Sequence, residues 1–284
     1  MNRTQIFSGL EDRYQKYRPA YPSQILDSLH AFVETGRNAS WPDHPSLIDV
    51  GAGTGILTRQ LRDAFGAGFR YLAVEPGDSM RRRAEAETAS NLQIEYVDAT
   101  AEAVPAEADS AALVIAAQAV HWFDRPRFYE EAARILVEGG TLALLYNYRD
   151  WRRDALLAAY EDFLESNLRS YVRPWRESKG DGAGDGELGS RSGLFDRELQ
   201  ALDEFHGSTS ASVEWQRTMS ADEFIELCLS TVQFQRASGG ADEAFRVELL
   251  RKMIASHYEN EAQILVPYLT TLRTVRRKAD HAPL

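Results

Sequence analysis

Short apolar runs punctuate the first half of the chain, each followed by a stretch with helical spacing. Leu47-Ile48-Asp49-Val50 leads into a glycine cluster, after which Leu57, Leu61 and Phe65 recur at helical intervals. Tyr71-Leu72-Ala73-Val74 is a second run and ends at Glu75. A third, residues 92–97, alternates apolar and polar positions and ends at Asp98. Residues 111–116 are continuously apolar, as expected of a central strand covered on both faces. Pro126 then marks the first turn of a helix whose apolar face carries Phe128, Tyr129, Ala132, Ala133, Ile135 and Leu136. Gly139-Gly140 is expected to stop that helix before a fifth strand over 141–146. Such alternation with short links predicts an α/β fold: a doubly wound, mostly parallel sheet with helices on both faces.

The second half is less regular. Residues 151–171 read as an amphipathic helix, and 177–193 hold six glycines among Ser, Asp and Lys, the composition of a loop. Residues 213–219 alternate as a strand does. Ser220 and Glu223 then form a capping box that opens a helix over 224–229, and 266–275 read as a last strand. No internal repeat is present. The expected organisation is a single domain, 1–284. Its N-terminal helices (1–45) cover the ligand, 46–150 form the binding core, and a helical and loop insertion after the fifth strand, with the final strands, fills 151–284.

The 284 residues suit one large domain, and 44% hydrophobic with 26% charged residues is an ordinary globular balance. A formal charge of −11 disfavours wrapping a phosphate backbone, so no nucleic-acid partner is expected. The lone Cys228 makes neither an internal disulfide nor a multi-cysteine zinc site, and the six histidines are scattered, so no metal is expected. The first 21 residues are charged and lack an apolar run, and the longest apolar stretch, 111–120, is about half a membrane span and is interrupted by Gln118. A soluble cytoplasmic protein without a membrane partner is expected.

The most informative segment is Asp49-Val50-Gly51-Ala52-Gly53-Thr54-Gly55, between a strand and a helix. Its glycines let the backbone turn sharply and approach a ligand closely. A dinucleotide fingerprint needs a third glycine at 56, where Ile56 stands, and a P-loop needs a Lys-Ser/Thr pair that is missing. The loop therefore suits a nucleoside without a pyrophosphate. Glu75 and Asp98, at the ends of the next two strands, are placed to accept ribose hydroxyls and an adenine amino group.

These residues resemble the class I S-adenosylmethionine-dependent methyltransferases, the small-molecule type that includes trans-aconitate methyltransferase-like enzymes. Carrying the resemblance are the glycine loop, Val74-Glu75-Pro76, Val97-Asp98-Ala99, the run from Gln118 to Asp124, and Gly139-Gly140. Phe7, Tyr14, Arg18, Pro19, Tyr21 and Pro22 look like the segment preceding the core in that subgroup. The resemblance covers about residues 5–150 and implies a Rossmann-like seven-stranded sheet, with the sixth and seventh strands near 213 and 268. It further implies that Asp49, Gly51, Ala52, Gly53 and Gly55 line the methionine part of S-adenosyl-L-methionine. By the same resemblance Glu75, beside Pro76, holds the ribose, Met80 packs on the adenine, and Asp98 with the Ala99 N–H reads the ring. Gln118 would contact the methionyl portion while Tyr14 and Arg18 close over the cofactor.

Methyl transfer is an in-line displacement in which alignment and water exclusion dominate, and a carboxylate nucleophile needs no base. His121 is the candidate base if one is required, with packing against the following helix as its competing role. Tyr146, Asn147 and Tyr148 are candidates for the acceptor side, Tyr146 being carried as a second catalytic candidate. Trp151, Arg152, Arg153, Arg173, Trp175 and Arg176 suit either an anionic or aromatic substrate or a solvated face. The leading expectation is a methyltransferase for a small metabolite, with O-methylation of a carboxylate attractive. The alternatives are a protein or RNA methyltransferase, supported only if Arg81-Arg82-Arg83 and 273–278 form a basic patch, and a cofactor-binding protein that transfers nothing.

Overall fold

The computed structural model describes residues 9–89, 93–169, 171, 173, 191–259 and 263–279. The apolar runs become a sheet of seven strands: β1 (Ser46–Val50), β2 (Arg70–Val74), β3 (Ile94–Val97), β4 (Ala111–Ala117), β5 (Leu136–Arg149), β6 (Phe205–Met219) and β7 (Ile264–Arg277). Their order is β3-β2-β1-β4-β5-β7-β6. Strands β1 to β5 pair in parallel, and β7 runs antiparallel to both β5 and β6. Direction along the sheet reverses between β1 and β4, so a crevice opens beyond their C-terminal ends.

The continuously apolar strand expected at 111–116 is central and buried on both faces, whereas β3, at the edge, is only partly covered. On one face, α2 (Ser23–Glu34) and α3 (Ile56–Phe65) press Leu29, Val33, Leu57 and Leu61 onto Leu47, Leu113 and Leu145. On the other, α5 (Arg125–Ile135) and α7 (Arg191–Gln200) bring Phe128 and Phe195 against Val114, Leu144 and Tyr146. Between these, α4 (Asp78–Glu87) follows β2.

Two expectations change. The helix α5 ends at Ile135 without Gly139-Gly140, and the glycine pair instead lies within β5. There it takes up a register jump between Ala111–Leu136 and Leu113–Thr141. Gly139 has a φ of +76°, and a Cβ on it would stand 2.5 Å from the Gly36 carbonyl oxygen, so the pair also lets α2's end approach the sheet. The insertion expected after the fifth strand is only half of the cover on that side. Helix α6 (Ala155–Asn167) follows β5, but α8 (Ala221–Leu229), α9 (Val232–Ala237) and α10 (Glu243–Ala255) are inserted between β6 and β7. These four helices share a third core of Leu157, Tyr160, Phe224, Phe234 and Leu250, closed against Val266 and Tyr268 of β7.

The capping box forms as the sequence implies: the Ser220 hydroxyl accepts from the Glu223 N–H at 3.2 Å and Glu223 accepts from the Ser220 N–H at 2.8 Å. The N-terminal helix α1 (Glu11–Tyr17) is tied to the inserted helices by Arg13, which donates to Glu226 at 2.8 Å and to Glu243 at 2.5 Å. The loop at 177–193 lies outside the described residues apart from its last three, which begin α7. Among the described residues no helix is long and apolar enough to cross a membrane.

Candidate active site

Two adjoining cavities occupy the crevice. One is lined by Gly53, Glu75, Pro76, Met80, Ala99, Thr100 and Phe123, the other by Arg18, Asp49, Ala52, His121, Asn147, Arg149, Tyr160 and Tyr268. Tyr14, Gly51, Ala117, Gln118 and Trp122 belong to both walls. A ligand spanning the two would pass the glycine loop and Gln118.

The glycines differ in what they do. Gly53, at φ +58°, lies between Met80 and Tyr14, so its bare Cα keeps the first cavity open. A Cβ at Gly51 would come within 2.6 Å of Ala119, and one at Gly55 within 2.4 Å of the Tyr96 hydroxyl. Gly55 caps α3 at φ +74° and lines neither cavity; its smallness serves the packing of α3 rather than a ligand.

Asp49, near the end of a strand buried from Leu47 onward, is 1% exposed. One of its oxygens accepts from the Thr58 hydroxyl at 2.6 Å, while Oδ1 has no hydrogen-bond partner among the described residues. Burial, with the nearby Glu75 charge assisting, raises its pKa to about 7. A buried acceptor with an unused lone pair facing a cavity is suited to a cation or a donor from a ligand. Glu75 accepts from the Gly53 N–H at 2.9 Å and from the Gly77 N–H at 2.7 Å, one bond to each oxygen. Burial raises its pKa and the two backbone bonds oppose that rise. A carboxylate so oriented still has lone pairs for the two hydroxyls of a ribose.

Gln118 has a φ of +55°, a region that residues other than glycine seldom enter. The turn is held by its N–H to the Leu145 carbonyl at 2.9 Å and by its side-chain amide to the Asn147 carbonyl at 2.5 Å. It stands where the two cavities meet. His121 lines the second cavity from the short turn Val120–Trp122, with its ring 4.9 Å from that of Trp122. Arg18 lies over the Tyr14 ring at 5.0 Å, and its buried Nε lacks a hydrogen-bond partner among the described residues.

Three groups of candidates stand apart from the two cavities. Asp98 lines neither cavity: it ends the edge strand, its side chain is 69% exposed, and it lies 3.5 Å from Arg81. Tyr146 is wholly buried in the sheet's opposite core, stacked between Tyr148 and Phe195 with 5.5 Å between ring centres on each side. Tyr148, two residues further along the same face, reaches the second cavity and stands between it and Tyr146. The arginines that suit either an anionic or aromatic substrate or a solvated face are paired with carboxylates: Arg152 with Asp150, Arg153 with Glu214, and Arg173 with Asp162 and Glu165. Trp175, Arg176 and Phe7 lie outside the described residues.

The basic patch that would favour a nucleic-acid acceptor is also absent among the described residues. Arg81, Arg82 and Arg83 pair with Asp78, Asp98 and Glu87. Arg273 is buried against Asp196, Arg276 donates to the Phe32 and Gly139 carbonyls, and Arg277 to that of Ala133. No cluster that could hold a metal ion occurs among the described residues.

Sequence reading missed Arg149, Tyr160, Glu161, Tyr171 and Tyr268 on the second cavity. Arg149 directly follows the flagged Tyr146-Asn147-Tyr148, and the strand's extension past 146 was the only local signal. The others come from α6, a connecting segment and β7, and only the tertiary fold gathers them.

Residues 48–144 match the methyltransferase domain family. An uncharacterized methyltransferase of Mycobacterium tuberculosis is 28% identical over 270 residues, covering 93% of this chain and 92% of its own. A structure provisionally assigned as a type II methyltransferase, from Anaeromyxobacter dehalogenans, covers 92% of this chain and 98% of its own with a TM-score of 0.60 and 24% identity. A methyltransferase of Geobacter sulfurreducens, solved with S-adenosyl-L-homocysteine, covers 96% and 98% with a TM-score of 0.51 and 16% identity; both structures share the fold. The family match falls on the strands that build the crevice, and the Mycobacterium relative extends the likeness over more than nine-tenths of the chain, so the chain is similar to methyltransferases along nearly its whole length.

Proposed function

We propose that the protein methylates a small metabolite, with a carboxylate oxygen as the nucleophile. The observation that carries this reading is the junction of the two cavities at Gln118. Beyond the nucleoside side lies a recess walled by the buried Tyr160 and Tyr268 and carrying Arg18 and Arg149, which suits a small acid better than a polymer strand. The committed side chains of Arg81–Arg83 and Arg273–Arg277 count against RNA in the same direction.

In this reading Glu75 holds the ribose hydroxyls, while Met80, Pro76 and the Ala99 N–H side of the cavity receive the base. The unused Oδ1 of Asp49 and the Gly51–Gly53 loop take the methionyl end, with Arg18 and Tyr14 closing over it. The bound cofactor supplies an electrophilic methyl group on a sulfonium. The chain's own contribution is to aim the acceptor along the line of displacement and to keep water out, for which Trp122, Tyr14 and the α1 clamp through Arg13 are placed. A carboxylate arrives ionised at neutral pH, so His121 need not remove a proton and acts as a wall of the acceptor recess.

Methyl-labelled S-adenosylmethionine incubated with a cell extract is expected to put label into the small-molecule fraction, released as methanol by mild base because the product is an ester. Label that stays in protein or RNA, or that resists base, contradicts the carboxylate reading. Asp98→Ala is expected to weaken cofactor binding less than about fivefold by calorimetry, because the side chain is solvent-exposed and already beside Arg81. A loss as large as that for a Glu75 variant would return Asp98 to the adenine site.

A further inference from the structure

Arg149 is a cation in the acceptor recess that shares it with the Glu161 carboxylate but forms no direct ion pair with that group. It lies over the Tyr160 ring, 4.4 Å from its centre, and its Nη1 is 3.6 Å from the Cys228 sulfur. Among the described residues no carboxylate oxygen stands within ion-pairing distance of its guanidinium. Glu161 offsets part of that charge: burial raises its pKa and the Arg149 charge opposes the rise, but one of its oxygens accepts from the Tyr171 hydroxyl at 2.6 Å rather than from the guanidinium. A guanidinium keeps its charge at any working pH, and this one, half-buried and without a directly bonded anion, retains donors for a ligand.

The opposite strand supplies the second observation. Tyr268 of β7 is the direct cross-strand partner of Arg149 on β5. It is 3% exposed, lines the same recess, and its hydroxyl has no hydrogen-bond partner among the described residues. Stacking on Trp215, with ring centres 4.5 Å apart, fixes the ring so that the hydroxyl cannot swing away. A half-buried guanidinium and a buried hydroxyl on adjacent strands, both with donors to spare and both lining one cavity, make a fork for an oxyanion.

We propose that Arg149 and Tyr268 form the subsite that binds the carboxylate of the methyl acceptor and select an acid over its neutral analogue. This rests on the reading of the second cavity as the acceptor site. Arg149 takes one oxygen or both in the fork geometry that only a guanidinium offers, and the Tyr268 hydroxyl donates to the same group. Arg18, on the cofactor's side of the recess, is left to the methionyl end.

The probe is acetate, the smallest carboxylate, with acetamide as its neutral isostere, titrated into protein saturated with S-adenosylhomocysteine and followed by ligand-observed NMR. Acetate is expected to bind at least about tenfold more tightly than acetamide. Arg149→Gln should abolish that preference, and Tyr268→Phe should weaken acetate about three- to tenfold, both leaving S-adenosylhomocysteine affinity within about twofold. Tyr268→Phe and Arg149→Lys, which keeps a point charge but loses the fork, serve if the glutamine variant does not fold. Equal binding of acetate and acetamide, no acetate binding, or acetate binding that survives both Arg149→Gln and Tyr268→Phe overturns the subsite. The outcome is separable from the proposed reaction: acetate held by Arg149 together with base-stable labelled products keeps the subsite as an anchor and removes the ester.

Discussion

Replacing Glu75 by glutamine is expected to weaken S-adenosylmethionine binding about a hundredfold while the protein remains folded. The carboxylate already accepts one backbone N–H on each oxygen, from Gly53 and from Gly77. A carboxamide has a single acceptor oxygen, so its NH2 must face one of those N–H groups, and the glycine loop loses an anchor. The ribose hydroxyls simultaneously lose a charged acceptor. Hydrogen bonds to a charged group contribute roughly 1.5–3 kcal/mol each, and about 1.4 kcal/mol is a factor of ten in affinity. Isothermal titration with the cofactor, alongside thermal unfolding of the same samples, checks the prediction. Affinity within a few-fold of the native chain would remove Glu75 from the site.

Asp49→Asn is expected to have two opposed effects, and their pH dependence identifies the cause. Burial holds the folded-state pKa at about 7, against 3.8 for a free side chain. Between those values the unfolded chain sheds the proton and the folded one keeps it, so the native carboxyl lowers stability progressively as pH rises from about 4 to 7. Asparagine does not ionise and still offers an oxygen to the Thr58 hydroxyl. The cofactor-free variant should therefore gain on the order of 2 kcal/mol, or roughly 4–8 °C in Tm, at pH 8 relative to the native protein. At pH 4.5 the gain should vanish. Cofactor binding moves the other way. An ionised Asp49 is needed to meet the cofactor's α-ammonium, so native affinity should fall by up to about tenfold per pH unit below pH 7. The variant should bind weakly and without that slope. Equal slopes in the two proteins would show that Asp49 does not face the ammonium.

The division between what the chain's pattern reveals and what it hides follows from how each part is built. The crevice core is local: strand, glycine turn and acidic strand end lie within a few residues of one another. Gly51 to Gly55, Glu75 and Gln118 are therefore readable in order, and the match of β1, β2 and β4 to the apolar runs is close. Strand ends mislead where the sheet edge intervenes or where the strand runs on further than its apolar pattern. Asp98 ends an edge strand and turns to solvent, and Tyr146 is packed between Tyr148 and Phe195, three residues short of the strand's end at Arg149. Gly139-Gly140 looks like a helix stop and instead absorbs a register shift, because the close approach of Gly36 is a long-range demand. The acceptor recess is the least legible. Arg149 and Tyr268 meet through antiparallel pairing across 119 residues of chain, and Tyr160 reaches them from a helix whose amphipathic pattern says only that it is packed.

The most direct test of the whole account is a crystal structure of the protein with S-adenosylhomocysteine bound. The ribose should rest on Glu75, the amino-acid end beside Asp49 and Arg18, and the thioether sulfur at Gln118 facing the recess that holds Arg149 and Tyr268. A nucleoside seated away from Glu75, or a sulfur turned from that recess, would contradict the assignment of both the cofactor site and the acceptor chamber.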